Sequence, residues 1–115
     1  MRDQHEENFQ RLNQIGQAIN MISQYTKGES AQSFCSTPML HDAVLMQFVV
    51  IGEAVSYIDH DLLEKYKYPW YKVKAFRNLI AHEYFNIKLE AVWTIIENEM
   101  PALEQVIKSM IELEF

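Results

Sequence analysis

Val44-Leu45-Met46-Gln47-Phe48-Val49-Val50-Ile51-Gly52-Glu53-Ala54-Val55-Ser56-Tyr57-Ile58-Asp59-His60-Asp61-Leu62 is the stretch that decides the fold class. Val44, Phe48, Ile51, Val55, Ile58 and Leu62 repeat at helical spacings of four and three, the period of an α-helix and not of a strand. Held over nearly three heptads, such a seam packs against an antiparallel neighbour or against a second copy of the chain. Thr37 is a cap candidate and Pro38 suits a first helical position, so this helix is predicted over Pro38 to about Asp61. Gly52 sits in its middle, where it costs roughly 1 kcal/mol relative to alanine. Its use there is the close approach of another helix. Glu53 follows, one of few acids near a strongly apolar stretch. It reads either as a solvent-facing residue or as a support for a site.

Outward from the seam, every other segment is also helical or a connection. Arg2 to Tyr25 reads as a first helix, with Phe9, Leu12, Ile15, Ile19 and Ile22 at spacings of three and four. Thr26 to Thr37 reads as a loop around Gly28. Leu62 to Tyr68 is a connection, and Tyr68-Pro69 ends what precedes it. Trp70 to Tyr84 is a third helix with no internal glycine or proline. Asn86 is the predicted cap of a fourth helix, Ile87 to about Glu99, with Leu89, Val92, Trp93 and Ile96 inward. Pro101 opens a last helix to Phe115, with Leu103, Val106, Ile107 and Met110 apolar. No segment alternates with period two. The expected architecture is a single all-α domain over residues 1–115: an antiparallel bundle of four to five helices, joined by short loops.

The third helix carries the chemistry. Arg77-Asn78-Leu79-Ile80-Ala81-His82-Glu83-Tyr84 places four polar residue types within one short segment. At about 100° per residue, Arg77, Asn78, His82 and Tyr84 fall on an arc of about 160°. Val73, Phe76 and Ile80 form an apolar stripe on the other side. One helix thus has a core face and a face of catalytic residue types. The bland alternative is a helix whose Arg and His serve caps and surface pairs.

Composition narrows the options. The chain has 115 residues, 49% hydrophobic and 23% charged, which suits one folded domain. Cys35 is the single cysteine, so no intramolecular disulfide forms, and it reads as an incidental thiol in a reducing compartment. The polar segment Met1 to Asn8 is not a signal peptide. The apolar runs Ala43–Met46 and Phe48–Ile51, split by Gln47, read as too short to span a bilayer. The expectation is a cytoplasmic protein with no membrane association.

Net charge is −6, which on its face disfavours nucleic acid. The distribution changes that. Lys65, Lys67, Lys72, Lys74 and Arg77 form a window with no acid, interleaved with Tyr66, Tyr68, Trp70, Tyr71 and Phe76. This reads either as a solvated charge run with core aromatics or as an RNA-binding patch beside the polar face. His5, His41, His60 and His82 have no metal-ligand spacing, so no metal site is expected. No glycine-rich phosphate loop and no serine nucleophile elbow is present, and no cofactor is expected. Arginine with histidine suits metal-free cleavage of RNA by its own 2′-hydroxyl: histidine moves protons near neutral pH and arginine holds phosphate charge. Asparagine can orient either one. One copy supplies one histidine, whereas a twofold dimer would supply two of each residue in one cleft.

Arg77-Asn78-x-x-x-His82-x-Tyr84 also resembles the signature of the HEPN superfamily, in its HepT-like toxin branch. Ile51-Gly52-Glu53-Ala54, Pro69-Trp70, Val92-Trp93 and Met100-Pro101-x-Leu103 resemble the same branch in order and spacing, so the likeness covers roughly Phe34 to Ile107. The resemblance implies a HEPN-like helical bundle that forms a homodimer. It implies a metal-independent ribonuclease pair, Arg77 and His82, supported by Asn78. It implies an MntA-type nucleotidyltransferase antitoxin as partner, which transfers AMP to Tyr84, and RNA, expected to be tRNA, as substrate. The alternative is a non-catalytic subunit that binds nucleotide or substrate for a nucleotidyltransferase.

Overall fold

A computed structural model describes residues 3–115. Arg2, the expected first residue of the first helix, lies outside the described residues. α1 spans Gln4–Thr26, α2 Ala31–Ser36, α3 Pro38–Ser56, α4 His60–Glu64 and α5 Trp70–His82. A 3-10 turn covers Tyr84–Asn86, and α6 Leu89–Asn98 and α7 Met100–Glu114 complete the chain. No strand occurs among the described residues. The fold is an all-α bundle, in which α1, α3, α5, α6 and α7 are the expected helices and α2 and α4 are short additions.

α3 is the centre. α1 packs along one side of it and α5 along another, while α7 lies on α1 and α6. Every residue of the seam is buried: Val44, Phe48, Ile51, Val55, Ile58 and Leu62 are each at most 7% exposed. Burial of these side chains, at about 1.5–3 kcal/mol each, is what holds α3 in place. Taken as one helix rather than as runs split at Gln47, Pro38–Ser56 is long and apolar enough to cross a membrane, by length and composition alone. A central bundle helix meets the same measure. Here Val44, Leu45, Phe48, Ile51, Ala54 and Val55 bury one side of it within the bundle.

The helix ends differ from the sequence expectation, each for a local reason. α3 stops at Ser56 rather than near Asp61. Asn8 of α1, itself buried, accepts the Asp59 backbone N–H on its Oδ1 at 3.0 Å. That bond takes Asp59 off the helical ladder, and α4 restarts the chain at His60. Ile58 and Leu62 still reach the core across this break. α2 fills part of the expected loop. Ser30 caps it, with Ser33 returning the bond to the Ser30 N–H, a capping box built with serine where Glu or Gln is usual. Phe34 then sinks fully into the core against Trp93, ring centroids 5.3 Å apart. Phe9, expected inward, is 39% exposed and packs on Phe115 at 5.2 Å.

At the far end, Lys65 Nζ and the Tyr66 hydroxyl both bind the Glu114 carboxylate, at 3.2 and 2.9 Å. The Tyr66 bond, then Lys65, holds that carboxyl below its ordinary range. Trp70 donates its indole N–H to the Leu63 carbonyl at 3.0 Å and fixes where α5 begins.

Asn8→Ala removes the acceptor that separates α3 from α4. It is expected to lower unfolding free energy by about 1–2 kcal/mol, read as a shifted urea midpoint at unchanged slope. An unchanged midpoint would show that Asp59 finds water equally well.

Candidate functional site

Gly52 is where α5 meets α3. A Cβ built there would lie 2.3 Å from Arg77 Cβ, 2.9 Å from its Cγ and 3.2 Å from the Val73 carbonyl oxygen. The missing side chain therefore lets the Val73–Arg77 ridge of α5 drop onto α3, the close approach expected from the sequence. Phe76 meets Phe48 edge-on at 5.1 Å on the adjoining flank. With its stem held on the glycine, the Arg77 guanidinium emerges beside the next residue. Its Nε donates to Glu53 Oε2 at 2.9 Å and its Nη1 to Asn78 Oδ1 at 3.2 Å. Glu53 is at once open to solvent, with its side chain 44% exposed, and in contact with Arg77.

Arg77 is half-buried, whereas Asn78 and His82 lie exposed on the outer face of α5. Lys74, three residues before Arg77, shares its side of the helix. Two large exposed apolar side chains, Tyr71 at 70% and Leu79 at 43%, belong to α5 itself.

Tyr84 is not on this helix, contrary to the expected run from Trp70 to Tyr84. α5 ends at His82, and Glu83 leaves helical geometry at φ −131°, ψ 35°. Asn86 drives the break: its backbone N–H binds the Glu83 carbonyl at 2.8 Å, and its side chain donates to Glu83 Oε2 at 2.8 Å. Such local bonds by asparagine compete with the helix. Asn86 thus closes a 3-10 turn instead of capping the next helix, which starts at Leu89.

The turn aims the Tyr84 hydroxyl at Asp42, whose Oδ1 accepts its hydrogen bond. That bond, then burial, raises the phenol above its ordinary range. His41 Nδ1 lies 3.3 Å from the same oxygen, buried and without an aligned hydrogen bond. Phe85, beside Tyr84, is 96% exposed, and Met39, one turn before Asp42, is 87% exposed. Sequence reading missed Asp42. Only the antiparallel alignment of α3 and α5 brings it to Tyr84.

The basic window does not stay together. Lys65 is engaged with Glu114. Lys67 lies exposed in the α4–α5 connection. Lys72 points to the other flank of α5, lining a cavity of about 210 Å³ with Phe48, Tyr68, Phe76, Glu99 and Leu103. Val73 and Phe76 line that cavity too, so they are half-buried rather than core. Only Lys74 accompanies Arg77. Among the described residues, no group of three or more His, Cys, Asp or Glu is arranged to hold a metal ion.

The helical fold and this motif helix define the class, a HepT-like ribonuclease, and comparison with known proteins agrees. The family model described as ribonuclease HepT-like matches residues 15–110, and the chain belongs to that family. It is 32% identical over 104 residues to "Putative RNase TTE0752" of Caldanaerobacter subterraneus subsp. tengcongensis, covering 90% of this chain and 93% of that protein. It is 26% identical over 94 residues to "Probable ribonuclease HepT" of Thermococcus cleftensis, covering 81% and 86%. It is also 32% identical over 105 residues to "Gamma-glutamylcyclotransferase and putative RNase MJ0434" of Methanocaldococcus jannaschii, of which it spans 47%. No solved structure matches the chain.

Alanine at an unhindered helix-interior glycine should stabilise by roughly 0.5–1 kcal/mol. Gly16 of α1 meets nothing within 4 Å, so Gly16→Ala is expected to behave this way. Gly52→Ala is expected to reverse the sign, by about 1–3 kcal/mol of overpacking. Paired thermal melts check both, and stabilisation by Gly52→Ala would refute the close contact.

Proposed function

We propose that the protein is a metal-independent endoribonuclease, the toxin of a toxin–antitoxin pair, acting at a composite site in a twofold homodimer. The observation that supports this reading is the single open face of α5, where Arg77 is anchored by Glu53 while Asn78 and His82 remain free of the core. Arg77 keeps its Nη side for a phosphate oxygen after binding Glu53 through Nε. Asn78 orients Arg77 through Nη1. His82 takes the proton of the RNA 2′-hydroxyl, whose oxygen attacks the adjacent phosphorus. The bond to the 5′-oxygen breaks, and His82 of the second copy returns a proton to that leaving oxygen. The exposed Tyr71 and Leu79 of α5 suit burial against the same face of a second copy.

Lys74 joins Arg77 in holding RNA, and Lys67 extends the basic surface at the start of α5. Lys65 contributes less than a sequence reading suggests, because Glu114 neutralises it. tRNA is the expected substrate. Control comes from AMP transfer to Tyr84 by an MntA-type nucleotidyltransferase antitoxin, a reading supported by the exposure of Tyr84 and its neighbour Phe85.

Purified protein is expected to cleave tRNA in the presence of EDTA. His82→Ala should lower the rate at least about 100-fold, the usual contribution of a proton-transfer group, with an unchanged circular dichroism spectrum. Arg77→Lys should be similarly impaired, since an ammonium does not replace the planar fork. Full activity of His82→Ala would remove this face from consideration. RNA binding without any cleavage would favour the non-catalytic nucleotide- or substrate-binding subunit.

Light scattering at micromolar concentration is expected to give the mass of a dimer. A monomer that cleaves at full rate would overturn the composite site.

A further inference from the structure

We infer that Asp42 is the general base that activates Tyr84 for nucleotidyl transfer; this rests on the reading of Tyr84 as the AMP acceptor. Tyr84 and Asp42 are far apart in sequence and belong to different elements, the 3-10 turn and α3. The phenol nevertheless donates to Asp42 Oδ1. Neither group is sealed in the core. The Asp42 side chain is 51% exposed and Tyr84 is 40% exposed. A partner enzyme can therefore bring a nucleotide to the phenolic oxygen while Asp42 holds its proton.

A second observation comes from beneath the pair. His41 Nδ1 is buried, has no aligned hydrogen bond, and lies 3.3 Å from the same Asp42 oxygen. Its ring stands edge-on to the buried Phe34 ring, centroids 6.2 Å apart. Buried polar atoms without partners are uncommon and call for a reason. Placed there, Nδ1 faces the same carboxylate oxygen that holds the phenol.

The chemistry balances as follows. A phenol is a weak nucleophile while it keeps its proton. As transfer begins, the Tyr84 O–H bond breaks and its proton passes to Asp42 Oδ1. The phenolic oxygen bonds to the α-phosphorus of a nucleoside triphosphate held by the nucleotidyltransferase. The bond from that phosphorus to the oxygen bridging it to the β-phosphate breaks, and pyrophosphate leaves. The product is a tyrosyl phosphodiester, and the proton rests on Asp42. The hydrogen bond that raises the Tyr84 phenol makes spontaneous ionisation harder. A base in contact is therefore needed if the phenol is to react near neutral pH.

The test compares wild type, Tyr84→Phe, Asp42→Asn and Asp42→Glu, each incubated with an MntA-type nucleotidyltransferase, ATP and magnesium. Intact mass is followed over time, and circular dichroism confirms the fold. Asp42→Asn keeps an oxygen acceptor of the same shape but cannot take a proton. Wild type is expected to gain AMP and Tyr84→Phe none. Asp42→Asn should react at least about 100-fold more slowly, and Asp42→Glu should recover part of the rate. Equal rates for wild type and Asp42→Asn would overturn the role of Asp42 and leave the acceptor reading standing. So would an Asp42→Glu protein as slow as Asp42→Asn. No gain in wild type, or a gain in Tyr84→Phe, would overturn the acceptor reading itself and this inference with it.

Discussion

The close passage of α3 and α5 at Gly52 is the constraint on which the site depends. A methyl group at residue 52 would occupy the space of Arg77 Cβ. The two helices therefore touch through backbone and arginine stem, and the guanidinium emerges beside Glu53. The ion pair is a third to a half exposed, with side-chain exposures of 32% and 44%. A pair of that kind adds only about 0–1 kcal/mol to stability. Its weight lies in direction. Gly52 fixes where the arginine begins and Glu53 fixes where it ends, so two consecutive residues position one cation.

The same contact leaves α5 unusually bare. Within the chain it leans on α3 and on the turn that follows it, while its Lys72 flank opens on the cavity shared with α6 and α7. Beyond Arg77, which Glu53 holds, its motif residues Asn78 and His82 are exposed. On a chain of net charge −6, attraction for RNA must come from charge close to the phosphate, because screening removes most effects beyond about 8 Å in physiological salt. One copy concentrates little such charge there: Lys74 and an Arg77 already half-neutralised by Glu53. In the proposed dimer, two copies facing each other would double that charge and would also cover Tyr71 and Leu79, so the two needs of this face would have one remedy.

Much of this was legible in the sequence where a residue's role follows from spacing along one element. The α3 seam, the close approach at Gly52 and the polar arc of α5 through His82 are properties of single helices, and periodicity reports them. What was not legible depends on a bond between elements or on an uncommon local choice. Asn8 of α1 ends α3 early, through a bond to Asp59 that no pattern in either segment announces. Ser33 builds the α2 capping box in place of the acid or amide that would have marked it. Asn86 signals a helix start by its type, but here it folds back on Glu83 and ends the previous helix. The basic window looked continuous because sequence order is continuous, whereas successive lysines leave a helix in different directions.

The break at Glu83 changes what a modification of Tyr84 can do. On one unbroken helix Tyr84 would stand over Arg77, and a nucleotide there would compete for the arginine. In the structure Tyr84 is tied to Asp42 and Arg77 to Gly52 and Glu53. Asp42 and Gly52 are separated by ten residues of α3, roughly 15 Å along its axis. His82 lies between, as the last residue of α5, five residues beyond Arg77 and two before Tyr84. A group added to Tyr84 therefore meets the histidine end of the proposed site before the arginine end. It would interfere first with proton transfer and with the approach of the scissile phosphate to His82, leaving the anchored arginine least disturbed. The turn made by Asn86 sets this order, because it places the proposed acceptor, Tyr84, at the end of α5 where His82 lies and hands its hydroxyl to Asp42.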